Sequence, residues 1–402
     1  MQYNGNGSNG VVDAISDTVI ENLGKTAESA RGLPNEAFTS PDFLALERKH
    51  LFSRTWVFAG PASDVPNAGD VKPIDVAGRA LFLARDQAGE LRVFYNVCPH
   101  RGARLVTQSS EQTRVLTCPY HAWSFDLSGK LKGRPHFYGP EKHDRADNGS
   151  GDDACLFEVR SATWHDWVFV NLDGLAPAFE DYMGPPFARF QSWNFSSFKK
   201  AHYQPFEFHC NWKLAIENFC DNYHVFKVHP DLHDMQTVQD RFPMEPDGRH
   251  MFNHFIIGGE GRGLTIDPDG PTLPEVPGLP AEFSKSSPYC SIFPNTTMAV
   301  FPTNLEFFMF EPLSVDKTIM HVWFYFAEEA AEVEEHRAAR EKVYAEWTQL
   351  NAEDSGICRR LQQGRSCDDY DGGRFSPYWD AGTLHFHTQV ATAIRGEGLY
   401  AR

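Results

Sequence analysis

Two short motifs bring thiols and imidazoles together. Cys98-Pro99-His100 and Cys118-Pro119-Tyr120-His121 each offer one sulfur and one ring nitrogen, with residues 101–117 between them. Loops at this spacing can grip one metal centre from opposite sides. A tetrahedral zinc ion accepts the same four donors, since zinc takes mixed Cys and His sets. One Cys and one His per loop suits a [2Fe-2S] centre better, with Cys98 and Cys118 on one iron and His100 and His121 on the other. Pro99, Gly102 and Pro119 permit tight turns that aim backbone N–H groups at cluster sulfurs, and such bonds tune the reduction potential.

A second constellation lies further along. A helix expected over 211–225 carries Glu217, Asp221 and His224 at spacings of four and three, one acidic face with a histidine at its end. Phe219, Cys220, Tyr223, Val225 and Phe226 surround that face with apolar side chains, and no lysine stands four residues after Asp221. His229 follows His224 by five positions, which a regular helix would separate by about 140°. The two rings can meet one ion only if the helix ends or bulges between them, and Pro230 supplies a reason by disfavouring the α conformation at His229. Two histidines and one carboxylate form a set that suits Fe(II) and leaves positions open for O2. The third member is sought on a long helix expected over 328–363. There Val343, Trp347, Leu350, Asp354, Cys358 and Leu361 recur at helical spacing. Asp354 falls on this apolar seam, where an unpaired carboxylate is costly, while its neighbour Glu353 is expected to point elsewhere. Asp354 is therefore favoured over Glu353 and over the Asp368–Asp369 pair.

The elements that must position these residues divide into two. Residues 1–40 read as an N-terminal arm, Gly-, Asn- and Ser-rich at first and loosely held. A first domain over 41–175 opens with a helix at 41–52, capped by Ser40 with Pro41 in its first turn. It continues as short strands at 56–59, 71–76, 81–84, 91–97, 114–117 and 124–127 and closes with one at 164–172. Asp86-Gln87-Ala88-Gly89 and Ser128-Gly129 supply turns. A second domain over 176–402 carries strands at 203–208, 251–257, 289–293, 297–301, 305–311 and 318–327. Irregular stretches at 229–249 and 258–282 are long enough to cover an entrance. The fold class is α+β, a small antiparallel β domain beside an antiparallel sheet covered by helices. Phe293, Phe301, Phe307, Phe308, Met309 and Phe310 follow one another on the later strands, and with 32 Phe in the chain most are core while a few can line an apolar pocket.

A net charge of −17 over 402 residues excludes a nucleic-acid-binding face. The eight cysteines show no disulfide framework, the start Met1-Gln2-Tyr3-Asn4-Gly5-Asn6-Gly7 carries neither a basic nor an apolar run, so no signal peptide is expected, and no apolar run of membrane-spanning length occurs. A soluble, cytoplasmic protein is expected, with no membrane partner. Gly258-Gly259-Glu260-Gly261-Arg262-Gly263 has the wrong spacing for a dinucleotide fingerprint, so nicotinamide and flavin chemistry is expected on a separate protein.

The Cys98–His121 motifs, joined to Glu217-Asn218-Phe219-Cys220-Asp221-Asn222-Tyr223-His224 and His229-Pro230, resemble those of the Rieske non-heme iron oxygenases, the alpha subunits of aromatic-ring-hydroxylating enzymes. The resemblance runs from about residue 40 to the C-terminus. It implies a Rieske [2Fe-2S] cluster on Cys98, His100, Cys118 and His121. It also implies a mononuclear Fe(II) on His224, His229 and Asp354, with Asp221 as the catalytic acid linking the two centres. It further implies a homotrimer in which electrons pass from His121 through Asp221 to His224 of a neighbour. They are delivered from NAD(P)H by a separate flavin or iron–sulfur reductase, with or without a ferredoxin. Asn218, Phe219, Phe293, Phe301 and Phe307 are the candidate substrate pocket.

The C-terminal segment, Asp371-Gly372-Gly373-Arg374-Phe375 with Leu384-His385-Phe386-His387, is more similar to the choline, glycine-betaine and carnitine monooxygenase branch than to the naphthalene type. His385 and His387 are placed on a strand or loop outside the ligand set. The linking acid departs from the carnitine-type pattern, being Asp where those enzymes have Glu. The expected activity is that of a terminal oxygenase, a mono- or dioxygenase, hydroxylating or oxidatively demethylating a small organic substrate such as a quaternary amine. Ring hydroxylation or cis-dihydroxylation of an aromatic carboxylate is the alternative, and a Rieske electron-transfer protein without oxygenase activity is the alternative of another class.

Overall fold

A computed structural model describes residues 15–145, 154–256, 273–283, 285–370 and 372–396. Its contacts divide the chain into two units, Phe52–Ala176 and the described parts of Met1–Leu51 with Pro177–Arg402. No helix among the described residues is long and apolar enough to cross a membrane.

The smaller unit is built from three antiparallel sheets. β1 (Val57–Pro61), β10 (Trp167–Asn171) and β9 (Arg160–Trp164) form one in that order; β2 (Val71–Val76), β3 (Arg79–Arg85) and β4 (Leu91–Tyr95) form the next; β5 (Val115–Thr117), β6 (Ser124–Asp126), β7 (Leu131–Arg134) and β8 (Asp144–Arg145) form the third. Short polar side chains set the turns. Asp86 Oδ1 accepts from the N–H groups of Ala88 at 2.9 Å and Glu90 at 3.0 Å. Asp126 does the same for Ser128 and Lys130. Gly129 closes that second turn at φ 87°, where a side chain would meet Phe94 at 2.7 Å, so only glycine fits without strain. The single closing strand expected over 164–172 is instead the hairpin β9–β10, reversed at His165 with φ 53°. Phe82, Phe94, Phe125 and Leu127 form the core of this unit together with Cys98 and Cys118, so both thiols are anchored from the apolar side.

The larger unit is one seven-stranded antiparallel sheet. Its strands are β11 (Phe198–Phe208), β12 (Glu245–Asp247), β13 (His250–Ile256), β14 (Ser286–Ile292), β15 (Thr296–Val300), β16 (Asn304–Ser314) and β17 (Lys317–Ala327), ordered β11-β17-β16-β15-β14-β13-β12. Around it lie α1 (Asp17–Leu23), α2 (Pro41–Leu46), α3 (Trp212–Cys220), α4 (Val225–Val228), α5 (Pro230–Met235), α6 (Arg337–Gly364) and α7 (Ala381–Arg395).

Several expectations are corrected here. The N-terminal arm is held from residue 15 on, because Ile15, Leu23, Ala30 and Leu33 are buried and Asp17 pairs with Arg395 at 2.6 Å. The leading helix, expected with the 41–175 domain, belongs to the larger unit. Its π-helical extension Glu47–Phe52 carries a fully buried Glu47 that bonds Lys213 at 2.6 Å and Trp212 at 2.8 Å. The helix expected over 211–225 stops at Cys220, with Asp221 at its C-cap in extended conformation. The 328–363 helix begins regularly only at Arg337, after two 3-10 turns. His385 and His387 lie on α7, a helix and not a strand or loop. The 229–249 stretch is ordered as α5, a 3-10 turn at Val238–Asp240 and β12. Most of 258–282, and Asp371, lie outside the described residues.

Candidate metal centres and their surroundings

The two Cys/His loops of the smaller unit share one backbone pattern. Cys98 N–H donates to Ala103 O at 2.8 Å and Gly102 N–H to Cys98 O at 2.9 Å; Cys118 N–H donates to Trp123 O at 2.8 Å and Ala122 N–H to Cys118 O at 3.0 Å. Gly102 and Ala122 both take left-handed φ, 75° and 56°, so each loop turns back at its fifth residue and delivers its cysteine and histidine to the same side. The imidazoles of His100 and His121 stand 4.7 Å apart between centroids, and His100 stacks on Trp123 at 4.6 Å. Both cysteines are buried, and neither is in a disulfide. Burial, then the neighbouring Cys118, raises the Cys98 thiol above its usual range, a cost that ligation removes because a bound metal deprotonates a thiol outright. Nδ1 of His121 is buried with no hydrogen-bond partner. A set of two thiols and two rings with an uncommitted inward nitrogen fits a [2Fe-2S] centre.

In the larger unit three donors from three segments meet. His229 Nε2 lies 3.0 Å from Asp354 Oδ1, His224 Nε2 3.5 Å from the same oxygen, and the two Nε2 atoms 3.3 Å from each other. The break that lets the rings meet falls in two places. Asp221 ends α3, and α4 is one turn that stops at His229, whose φ −120° and ψ 75° lie outside the α region, as Pro230 after it requires. Behind each ring stands a second carboxylate. Asp221 Oδ2 is 3.4 Å from His224 Nδ1, and Glu353 Oε2 is 2.6 Å from His229 Nδ1. His229, donating from Nδ1 to Glu353, carries its lone pair on Nε2, the tautomer a metal ligand needs, whereas Nδ1 of His224 closes no hydrogen bond to Asp221. Burial acts to lower the His224 pKa, but Asp221 and Asp354 outweigh it and hold the ring at about 9. Burial likewise opposes ionisation of Asp354, yet His224 and His229 keep it well below the usual carboxylate range. Asp354 Oδ1 is buried without a conventional hydrogen bond. These donors fit a ferrous ion.

Glu353 is the residue that sequence reasoning placed wrongly. Positions 353 and 354 are about 100° apart on a helix, and His229 sits between their directions, so one carboxylate can face its Nε2 while the other holds its Nδ1. Glu217, read as part of the acidic face, instead accepts from His387 Nε2 at 2.8 Å. His387 Nδ1 accepts from Leu33 N–H at 3.0 Å, so this histidine is committed and stands outside the donor set, as expected. A cavity of about 260 Å³ beside Asp221 and His224 is lined also by Glu217, Asn218, Asp380 and His387.

The candidate pocket residues separate. Phe219 packs on Phe308 at 4.7 Å, Tyr289 at 5.8 Å and Trp347 at 6.5 Å, and Phe301 lies 6.0 Å from Tyr289. Phe307 does not join them. Side chains alternate along β16, and Phe308 and Phe310 both contact Phe219, so Phe307 points to the opposite face, paired with Trp323. Phe293 packs instead on Phe386 at 6.2 Å.

Residues 55–139 match the Rieske [2Fe-2S] domain, and residues 194–396 match the family described as ring hydroxylating alpha subunit (catalytic domain). The carnitine monooxygenase oxygenase subunit of Escherichia coli (strain K12) is 31% identical over 224 residues, 55% of this chain and 58% of that protein. The glycine betaine monooxygenase oxygenase subunit of Chromohalobacter salexigens is 29% identical over 220 residues, 55% of this chain and 47% of that one. The aligned stretch thus spans about half the length of these curated relatives. A crystal structure of a quaternary ammonium Rieske monooxygenase in complex with an inhibitor superposes with a TM-score of 0.76 at 24% identity, covering 93% of this chain and 98% of that one, a likeness of fold. On the match across its catalytic half, this chain belongs to the ring-hydroxylating alpha-subunit family, with a Rieske [2Fe-2S] domain followed by a catalytic domain that binds mononuclear iron.

Proposed function

We propose that this chain is the terminal oxygenase component of a multicomponent Rieske oxygenase, acting on a small organic substrate of the quaternary-amine kind. The supporting observation is the meeting of His224, His229 and Asp354 within 3.0–3.5 Å, each ring backed by its own carboxylate. When bound, iron at these residues supplies open positions at which O2 is activated, and the [2Fe-2S] centre supplies electrons singly. The chain's own part is orientation. Glu353 fixes the tautomer and aim of His229 through Nδ1, Asp221 stands 3.4 Å from Nδ1 of His224, and Phe219, Phe308 and Tyr289 form an apolar cluster in the same unit.

Cys98, His100, Cys118 and His121 are assigned as cluster ligands, and Asp221 as the link between His121 of one protomer and His224 of the next in a homotrimer. NAD(P)H is oxidised on a separate reductase, with or without a ferredoxin between. Quaternary amines are favoured over aromatic acids because a carnitine monooxygenase oxygenase subunit aligns over 84% of this chain at 26% identity, whereas the anthranilate 1,2-dioxygenase large subunit aligns at 32% identity over only 52% of it.

Metal and sulfide analysis of anaerobically purified protein tests the assignment. About three irons per chain are expected, falling to about two with sulfide unchanged in Asp354→Ala. A wild-type protein with two irons, or with zinc, sinks the oxygenase reading. A screen with a surrogate reductase then separates amines such as choline and carnitine from benzoate-like acids, scored by demethylated, monohydroxylated or cis-diol product.

A further inference from the structure

Glu306 stands fully buried on β16, one pleat from Phe308 and on the same face. Asn304 Nδ2 donates to its Oε1 at 2.6 Å, while Oε2 is buried without a hydrogen-bond partner. The Trp347 indole N–H leans toward the carboxylate without closing a bond to it. Sheet register carries Glu306 through Ala299 to Tyr289 on a common face, two strand spacings or about 10 Å away. Tyr289 and Phe308 share Glu306's face of the sheet, and Phe219 and Trp347 pack on Phe308 at 4.7 and 5.0 Å. Trp347 precedes Asp354 by seven residues, two turns along one face of α6, about 10 Å.

A carboxylate in such surroundings is expensive to ionise. Burial, with Glu346 nearby, pushes Glu306 up to about 8, and the side chains acting most strongly on it, Asn304, Trp347 and Glu346, include no cation. A hydrophobic side chain would fill the same place at no such cost. An inorganic cation would demand several oxygen ligands, and beside Glu306 the nearby Glu346 is the one further carboxylate among the groups that act most strongly on it. An organic ammonium is what aromatic faces and one carboxylate oxygen jointly favour, because ring quadrupoles attract it and its methyl groups need no hydrogen bonds.

We propose that Glu306 is the specificity-determining residue that recognises a cationic substrate, holding its ammonium group within the aromatic set of Phe219, Tyr289, Phe308 and Trp347. The inference rests on the oxygenase reading and names the charge of its substrate. The test measures equilibrium binding to the metal-loaded protein of choline and of its neutral carbon isostere 3,3-dimethylbutan-1-ol, by Trp fluorescence and calorimetry. Wild-type protein is expected to prefer choline by about tenfold or more, Glu306→Gln to lose that preference while binding the isostere unchanged, and Glu306→Asp to keep part of it. Equal binding of the two probes by wild type, absence of choline binding, or undiminished choline binding by Glu306→Gln overturns the proposal. Iron content read on the same samples separates the two ideas. A failed preference with three irons per chain removes only Glu306, whereas loss of the third iron from wild type removes the oxygenase reading beneath it.

Discussion

His229 turns Nε2 toward Asp354 because a carboxylate is bonded at its back, while Asp221 stands 3.4 Å behind His224. For His229 that partner is Glu353 at 2.6 Å, itself steadied by Gln349 Nε2 at 3.3 Å. A buried ring without such an acceptor is free to take the other tautomer. Glu353→Ala is thus expected to weaken Fe(II) binding about 10–100-fold while leaving cluster sulfide intact, as read by anaerobic Fe(II) titration; unchanged affinity would make Glu353 a bystander. Glu306 sets a pH dependence of its own. A carboxyl whose folded pKa is raised from 4.5 to about 8 binds more protons in the native state than in the unfolded one. Its contribution to stability is complete below the unfolded value and is lost as pH rises through the folded one. In ligand-free protein the fall in melting temperature across this window is expected to be shallower in Glu306→Gln, and an identical slope in variant and wild type refutes the burial argument.

At the scale of elements, the entry of α3 is tied to α2 by a fully buried pair, Glu47 with Lys213, to which Asn211 and Trp212 add bonds. Lys213→Met leaves Glu47 buried without its cation and is expected to cost about 3–5 kcal/mol, whereas the double replacement Glu47→Leu with Lys213→Met restores most of that loss; denaturant unfolding of all three proteins decides it. No sequence pattern announced this pair, because Glu47 and Lys213 are 166 positions apart and each looks like a surface residue of an amphipathic helix. What was legible was local. Alternation gave most strands of both units to within a few residues, and Pro230 marked the irregularity at His229. The end of α3 at Asp221 was not legible, since apolar residues continue past it and nothing in a 3.6-residue pattern reveals that a side chain is needed at a cap. The same limit misplaced Glu353, because periodicity separates adjacent helical residues by direction and is silent on a third group lodged between them. His387 looked like a strand residue for want of its partner Glu217, 170 positions earlier.

For the whole molecule, the question is where an electron leaving the cluster goes. The two sets of metal-binding residues occupy separate units of the chain, and Asp221 lines a cavity beside His224 that the larger unit leaves beside its own site. If that cavity receives His121 of a neighbouring protomer, activity belongs to interfaces and not to single chains. Two inactive variants then complement each other. His224→Ala retains a working cluster and lacks the mononuclear site; Cys98→Ser does the reverse. In rings of three formed from equal amounts of both, any given interface pairs a working cluster with a working iron site with a probability of about one quarter, so the whole mixture should recover about a quarter of wild-type turnover. Transfer within a single chain predicts none, as neither variant has both sites. Asp221→Asn placed in the Cys98→Ser chain should abolish the recovered turnover, yet placed in the His224→Ala chain it should leave that turnover untouched, because only the aspartate beside the working iron lies on the route.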